Sequence, residues 1–267
     1  MKKCIEVGNA RFYVEICSPK LMEKTSKTVV FFHGFSQTHE TFYPLLSKLT
    51  EYQVVLIDLL GHGKSESCDS NYSFELLVEL LNKVFEQLQL NEFELYGYSM
   101  GARIAMHYVR SYPKKVSKLY IESSSSGLNT MAEKTQRILL DKRIEEVILT
   151  GLCEFDAFWR ALPLFSRLKR LPIAVQEHIS KMRCSHSQIE LVKALRGFSI
   201  SSQETLINKL AFKPVELIVG ECDEKYLPIM VEMANMWNAP LNIVANAGHN
   251  VHVEQPEEVV KIIRREV

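Results

Sequence analysis

Six short apolar runs rich in β-branched and aromatic residues recur along the chain: TVVFFHGF at 28–35, YQVVLIDLL at 52–60, FELYG at 93–97, KLYIESS at 118–124, PVELIVG at 214–220 and PLNIVANAG at 240–248. Runs this short, with little polar alternation, are what parallel strands covered on both faces require. Between them, 74–90 (FELLVELLNKVFEQLQL), 103–111 and 226–237 carry apolar residues at helical spacing, and such helices are the crossovers that parallel strands need. The pattern predicts a doubly wound α/β protein: a mostly parallel central sheet with helices on both faces.

From Gly127 to about Phe212 the alternation stops, and helical patterns broken at Pro163 and Pro172 take its place. We expect a helical cap at 127–212 inserted into a core formed by 1–126 and 213–267. Residues 128–213 hold 14 Lys and Arg against 9 Asp and Glu, net +5, while the remainder holds 18 against 23, net −5. This segregation suggests a cap that faces an anionic ligand, although solvated helix faces of uneven charge give the same count.

Composition removes several classes of function. The 267 residues are 46% hydrophobic, with 32 basic and 32 acidic side chains, so neither disorder nor a global field for nucleic acid or an anionic bilayer is expected. The apolar runs fall far short of the roughly 20 residues a membrane span needs. Glu6, Asn9 and Arg11 break the opening MKKCIEVGNARFYVEI, which argues against a signal-peptide core and for a cytoplasmic protein. The six cysteines at 4, 17, 68, 153, 184 and 222 form no CxxC and no Cys/His cluster, so neither a metal site nor a disulfide framework is expected. No feature specifies an oligomer.

The chemistry is concentrated in Gly97-Tyr98-Ser99-Met100-Gly101, placed between a predicted strand and a predicted helix. That is the G-x-S-x-G context of a nucleophile elbow, with small flanking residues permitting a sharp turn that exposes the serine. A serine hydroxyl needs a histidine base, itself oriented by a carboxylate. After the strand at 214–220 come Glu221-Cys222-Asp223, and after the strand at 240–248 comes His249, so both candidates sit at strand carboxyl ends. Asp223 is the favoured acid, with Glu221, Glu224 and Asp58 as competitors. His252 and Glu254 are expected to fix the loop and cap the last helix, and Asp58 to organise the turn after its strand. Cys222 deserves notice only for its position beside Asp223.

An oxyanion hole takes one amide from the residue after the nucleophile and one from the loop after the third strand. The amides of Met100 and Phe35, the latter in His33-Gly34-Phe35, are the expected donors; His33 itself is expected to shape the loop. The stretch GHGKS at 61–65 is not a phosphate-binding loop, because that motif needs glycine where Asp58 stands. No dinucleotide fingerprint is present, so no cofactor is expected.

HGF at 33, DLLGHGKS at 58, GYSMGARIAM at 97, GECDEK at 220 and AGHNVHVEQP at 247 together resemble the α/β-hydrolase fold superfamily over essentially the whole chain. GYSMGAR, with AEKTQRILLD, FDAFWRALPLF and KMRCSHS in the cap, resembles more narrowly the 2-succinyl-6-hydroxy-2,4-cyclohexadiene-1-carboxylate synthases of menaquinone biosynthesis. The resemblance implies a lyase whose Ser-His-Asp triad removes a proton alpha to a succinyl ketone and eliminates pyruvate, acting on a small-molecule polycarboxylate. It also implies that Arg103, Arg137 and Arg183 bind substrate carboxylates and that Tyr98 and Trp159 line the pocket. An elbow-helix salt bridge for Arg103, solvated cap faces for Arg137 and Arg183, and cap core for Trp159 are the structural alternatives. One departure is visible: the family commonly reads HGFLGS, whereas here His33-Gly34-Phe35-Ser36-Gln37-Thr38 lacks the second glycine. The competing functional class is a serine hydrolase, an esterase or carbon-carbon bond hydrolase, of an acidic substrate.

Overall fold

The computed structural model describes residues 1–18, 27–206, 212 and 214–265. Its strands are β1 (Lys2–Val7), β2 (Ala10–Cys17), β3 (Thr28–Phe32), β4 (Gln53–Ile57), β5 (Glu66–Ser67), β6 (Phe93–Tyr98), β7 (Val116–Glu122), β8 (Val215–Gly220) and β9 (Leu241–Val244). They form one sheet in the order β1-β2-β4-β3-β6-β7-β8-β9, with β5 pairing β2. Every pairing from β4 through β9 is parallel, while β2 pairs antiparallel with β1, β4 and β5.

The six expected strands are present: those at 28–35, 52–60, 214–220 and 240–248 are shorter than expected, β6 runs one residue further, to Tyr98, and β7 starts two residues earlier, at Val116. The hairpin of β1 and β2 is an addition to the sequence reading. Its signal was the Gly8-Asn9 pair between two short alternating segments, with Gly8 in the left-handed region at φ 58°, a conformation glycine adopts without steric cost.

Side-chain alternation assigns the two faces of the sheet. Val30, Phe32, Val55, Ile57, Leu95, Leu217 and Val219 pack with α2 (Phe74–Gln87), α3 (Met100–Ser111) and α8 (Tyr226–Trp237). Val29, Phe31, Val54, Leu56, Tyr96 and Ile218 pack with α1 (Tyr43–Leu46), α9 (Val251–Glu254) and α10 (Pro256–Arg264). The predicted helix at 74–90 ends three residues early, and that at 103–111 begins at Met100, directly after the serine.

Between β7 and β8 lie α4 (Met131–Thr150), α5 (Leu152–Ala161), α6 (Ile173–Cys184) and α7 (Gln188–Phe198). Thr130 and Glu133 close a capping box on α4, satisfying backbone amides that the first turn leaves open. Pro163 opens a 3-10 segment after α5, and Pro172 occupies the N-cap of α6, as a residue without an N–H should. Ile144, Ile148, Phe155, Leu191, Val192 and Leu195 give these helices a small apolar core of their own. The expected boundary at 212 and 213 adjoins positions 207–211 and 213, which lie outside the described residues.

Leu81 is fully buried on the sheet-facing side of α2, whereas Leu139 on α4 is 62% exposed. Leu81→Ala is expected to lower unfolding free energy by about 3 kcal/mol. Leu139→Ala should stay within about 0.5 kcal/mol of the parent. Urea titrations of the two variants check both values.

Candidate active site

The parallel register brings four strand ends together. Phe32 lies beside Gly97, Tyr98 beside Glu122, and Gly220 beside Val244, so the loops after β3, β6, β8 and β9 open at one edge. Ser99 follows β6 with φ 51° and ψ −109°, a left-handed backbone that a non-glycine residue adopts only when its surroundings impose it. Its amide donates to Glu122 O at 2.9 Å, and Ser124 Oγ donates to Ser99 O at 2.9 Å. A Cβ on Gly97 would meet the backbone of Ala102, and one on Gly101 would collide with the carbonyl oxygens of Phe32 and His33. The turn therefore requires glycine on both sides. Ser99 holds the N-cap position of α3, but its side chain makes no capping bond.

The hydroxyl instead meets His249. Ser99 Oγ lies 3.2 Å from His249 Nε2, and His249 Nδ1 lies 2.7 Å from Asp223 Oδ2. Asp223 is buried, and its Oδ1 accepts the Tyr226 amide at 3.1 Å. The Tyr226 ring stacks on the imidazole with centroids 4.8 Å apart, and Tyr98 and Phe165 flank it at 5.2 and 5.7 Å. An Nδ1–H held by carboxylate leaves Nε2 as an acceptor toward serine. Of the competing acids, Glu221 accepts the Asn246 amide, and Asp58 accepts from His39 and from the Lys64 amide.

These groups open into a pocket of about 730 Å³ of empty space, its mouth included. Every site residue proposed from the sequence except Asp223 lines it: Phe35, Tyr98, Ser99, Met100, Arg103, Arg137, Trp159, Arg183 and His249. The amides of Phe35 and Met100 have no hydrogen-bond partner among the described residues. A second cleft adjoins the first and shares Arg137, Leu140, Lys225 and Tyr226 with it.

The three arginines are not electrostatically alike. Arg103 is buried, donates through Nη1 to Phe198 O at 2.6 Å, and has no ion pair among the described residues. Burial and the nearby Arg137 charge push its pKa down to about 10. Arg137 is paired with Asp141 at 2.7 Å, one helical turn away. Arg183 is buried against Asp156, with Nε donating to Ser36 Oγ at 3.3 Å. The salt-bridge alternative thus belongs to Arg137 and Arg183, not to Arg103; Arg183 is buried, and Arg137 is half-buried at the pocket wall.

An alpha/beta hydrolase fold family profile matches residues 27–146. A Bacillus subtilis (strain 168) protein provisionally named 2-succinyl-6-hydroxy-2,4-cyclohexadiene-1-carboxylate synthase is 37% identical over 89% of this chain and 89% of its own. A Salmonella heidelberg (strain SL476) synthase of the same name is 29% identical over 87% of this chain and 90% of its own. The structure of MenH from S. aureus superposes with a TM-score of 0.87 at 31% identity, covering 94% of this chain and 96% of that one. The chain belongs to the 2-succinyl-6-hydroxy-2,4-cyclohexadiene-1-carboxylate synthase family.

In this synthase-family chain the missing second glycine of HGFSQT falls at Gln37, whose backbone does not require one. Ser36, not Gln37, carries the positive φ, at 61°, and the Gln37 amide donates to Gly34 O at 3.2 Å. His33 shapes the loop as expected: its Nε2 accepts from the Leu59 amide at 3.0 Å, and Nδ1 meets Gly34 O at 2.8 Å. Trp159 packs against Phe35, Phe155 and Phe165, so it joins the apolar packing and lines the pocket at once. Cys222 is exposed. Glu254 corrects one expectation, because it does not cap the last helix. The N-cap of α10 is Gln255, without a side-chain bond, while Glu254 accepts the Gly248 amide at 2.8 Å and pairs with Arg167 at 3.3 Å. It thereby clamps the loop that carries His249.

Residues that sequence reading missed include Asn250, Tyr226, Lys225 and Phe165. Asn250 Oδ1 accepts from the Tyr98 hydroxyl and, at 3.4 Å, from Gln37 Nε2. Adjacency to His249 and Asp223 was the only signal for Asn250, Lys225 and Tyr226; Phe165 had none.

Beneath the pocket, His33, His62 and His186 pack ring to ring, with centroids 5.0 and 5.4 Å apart. Burial pushes His33 and His186 down to about 4 and holds His62 below the usual range. Each binds a proton more readily in the unfolded chain, so unfolding takes up protons between about pH 6.5 and 4. Stability is therefore full above about pH 6.5 and falls as pH drops toward 4, by about 1.4 kcal/mol per unit for each such histidine. His186→Gln should flatten that slope by about one proton, as measured by urea unfolding at pH 7, 6 and 5.

Proposed function

We propose that this chain is a lyase of menaquinone biosynthesis that eliminates pyruvate from 2-succinyl-5-enolpyruvyl-6-hydroxy-3-cyclohexene-1-carboxylate, giving 2-succinyl-6-hydroxy-2,4-cyclohexadiene-1-carboxylate. The observation that carries this reading is Arg103: an enclosed guanidinium with no carboxylate partner among the described residues, lining the same pocket as Ser99 and His249. A buried uncompensated cation is costly. A ligand carboxylate in a bidentate fork offsets that cost, and an enzyme for neutral esters has no use for it.

In the proposed reaction His249 takes the Ser99 hydroxyl proton, and Ser99 Oγ removes the ring proton alpha to the succinyl ketone. The C–H electron pair passes into an enolate, whose oxygen the Phe35 and Met100 amides would receive. Collapse of the enolate shifts the ring alkene and breaks the C–O bond to the enolpyruvyl group. The departing enol oxygen keeps that electron pair, and the abstracted proton is returned as the enol becomes pyruvate. Asp223 stays ionised and steadies the imidazolium. No acyl-enzyme forms. Arg103 would hold one substrate carboxylate directly, while Arg137 and Arg183 present guanidiniums already shared with Asp141 and Asp156. The segment 127–212 acts in this reading as a cap over the ring, with Trp159 and Leu162 as its apolar wall.

A continuous assay of pyruvate and diene formation, run beside p-nitrophenyl acetate, tests the proposal. Ser99→Ala is expected to lower kcat by a factor on the order of 1,000 or more, and near-normal turnover would remove serine from the mechanism. Arg103→Ala should cost about 100-fold or more on the polycarboxylate but less than about threefold on the neutral ester. Equal losses on both substrates would argue for a folding role, and turnover of the ester alone would favour the hydrolase reading.

A further inference from the structure

Among the described residues lining the pocket, only Gln37 buries a side-chain oxygen with no hydrogen-bond partner. The residue is 4% exposed. Its other amide atom is engaged: Nε2 donates to Asn250 Oδ1 at 3.4 Å, and that same oxygen accepts the Tyr98 hydroxyl. Turning the Gln37 amide over would set Oε1 against Asn250 Oδ1, two acceptors facing each other. With Asn250 Oδ1 accepting from the Tyr98 hydroxyl, the end of Gln37 left over is the acceptor.

A buried acceptor without a donor is unfavourable, and the pocket gains whatever a ligand donor restores. The oxygen repels carboxylates, which are acceptors only. An ammonium is disfavoured by Arg103, Arg183 and Lys225 lining the same pocket. Neutral O–H and N–H donors remain, and of these the substrate proposed above carries a hydroxyl. We infer that Gln37 Oε1 is a specificity-determining acceptor for a ligand hydroxyl, and, resting on the function proposed above, that this is the hydroxyl on the substrate ring. The carboxylates and the hydroxyl are then read by separate groups, guanidiniums for the former and a carboxamide for the latter, and the ring is fixed in its rotation relative to Ser99.

The decisive comparison sets the hydroxylated substrate against its 6-deoxy analogue, with the full-length chain and its Gln37→Met variant. Methionine keeps the length of the side chain and removes the acceptor, and an unchanged thermal midpoint shows that the fold is intact. The parent is expected to favour the hydroxylated substrate by about tenfold or more in kcat/KM. Gln37→Met should erase this preference by raising KM for the hydroxylated substrate, with kcat within about twofold and the deoxy substrate unaffected. Equal losses on both substrates would mean that Gln37 merely props Asn250, and no loss on either would mean that its oxygen is unused. Both results overturn the inference. If the parent releases no pyruvate at all, the functional reading falls by itself. Calorimetric binding of 2-hydroxycyclohexanecarboxylate against cyclohexanecarboxylate then decides the matter. A hydroxyl preference that Gln37→Met abolishes supports the acceptor, and equal affinities refute it.

Discussion

The contact on which the site depends is the close approach of the first turn of α3 to the end of β3. Gly101 lies so near the carbonyl oxygens of Phe32 and His33 that no side chain fits between them. That approach forces the chain to reverse within one residue, and the residue is Ser99, at positive φ. A left-handed serine costs on the order of 1–3 kcal/mol, held here by its amide bond to Glu122 O and by the burial of Met100, Ala102, Ile104 and Ala105 behind it. The strained turn also aims the Ser99 hydroxyl away from its own helix and leaves it to His249.

A buried polar frame stabilises the loops around that turn. Glu122 accepts from His252 through both its backbone amide and its ring, and from the Tyr96 hydroxyl at 2.5 Å; His252 reaches on to Thr41 at 2.8 Å. Asp58 does the same for the opposite loop through His39, which also lies against Tyr43. Charges buried this deeply are tolerated only when nearly every lone pair is engaged, and both clusters meet that condition with backbone amides as well as side chains. The site therefore rests on strand ends tied to one another by groups that take no part in the proposed chemistry.

The parallel strands, and the positions of Ser99, Asp223 and His249 that their ends bring together, were legible because they follow from short-range rules. Apolar runs of strand length, glycines flanking one serine, and polar residues just past strand ends are all visible in a linear string. The antiparallel β1-β2 edge was not read from the string: Gly8-Asn9 was its turn signal, but β1 is mostly exposed and the polar residues Arg11 and Glu15 interrupt the apolar run of β2. What the string did not carry is pairing across long separations. The Asp156 partner of Arg183 is 27 residues away, and Glu254 faces Arg167 across 87. Neither separation has a period. The same blindness explains Glu254: a carboxylate two residues before a proline helix start looks like a cap, and only the folded loop shows it turned back toward Gly248.

Charge counting along the sequence does not show which cations reach the pocket or which are already paired. The positive balance of 128–213 suggested a cap lined with cations, yet among the described basic residues of that segment only Arg137 and Arg183 line the pocket, each with its own carboxylate. Arg103, which has no such partner among the described residues, comes from α3, one turn past the serine. The division has a physical logic. A guanidinium already paired with a carboxylate is less costly to bury than an unpaired one and still offers donors to an arriving anion. An unpaired one must be held by packing strong enough to bear its desolvation, and α3, buried along nearly its whole length, is where this fold provides that packing. Arg103 thus sets an unpaired charge one helical turn from Ser99, while Arg137 and Arg183 bring to the same pocket guanidiniums already paired with carboxylates.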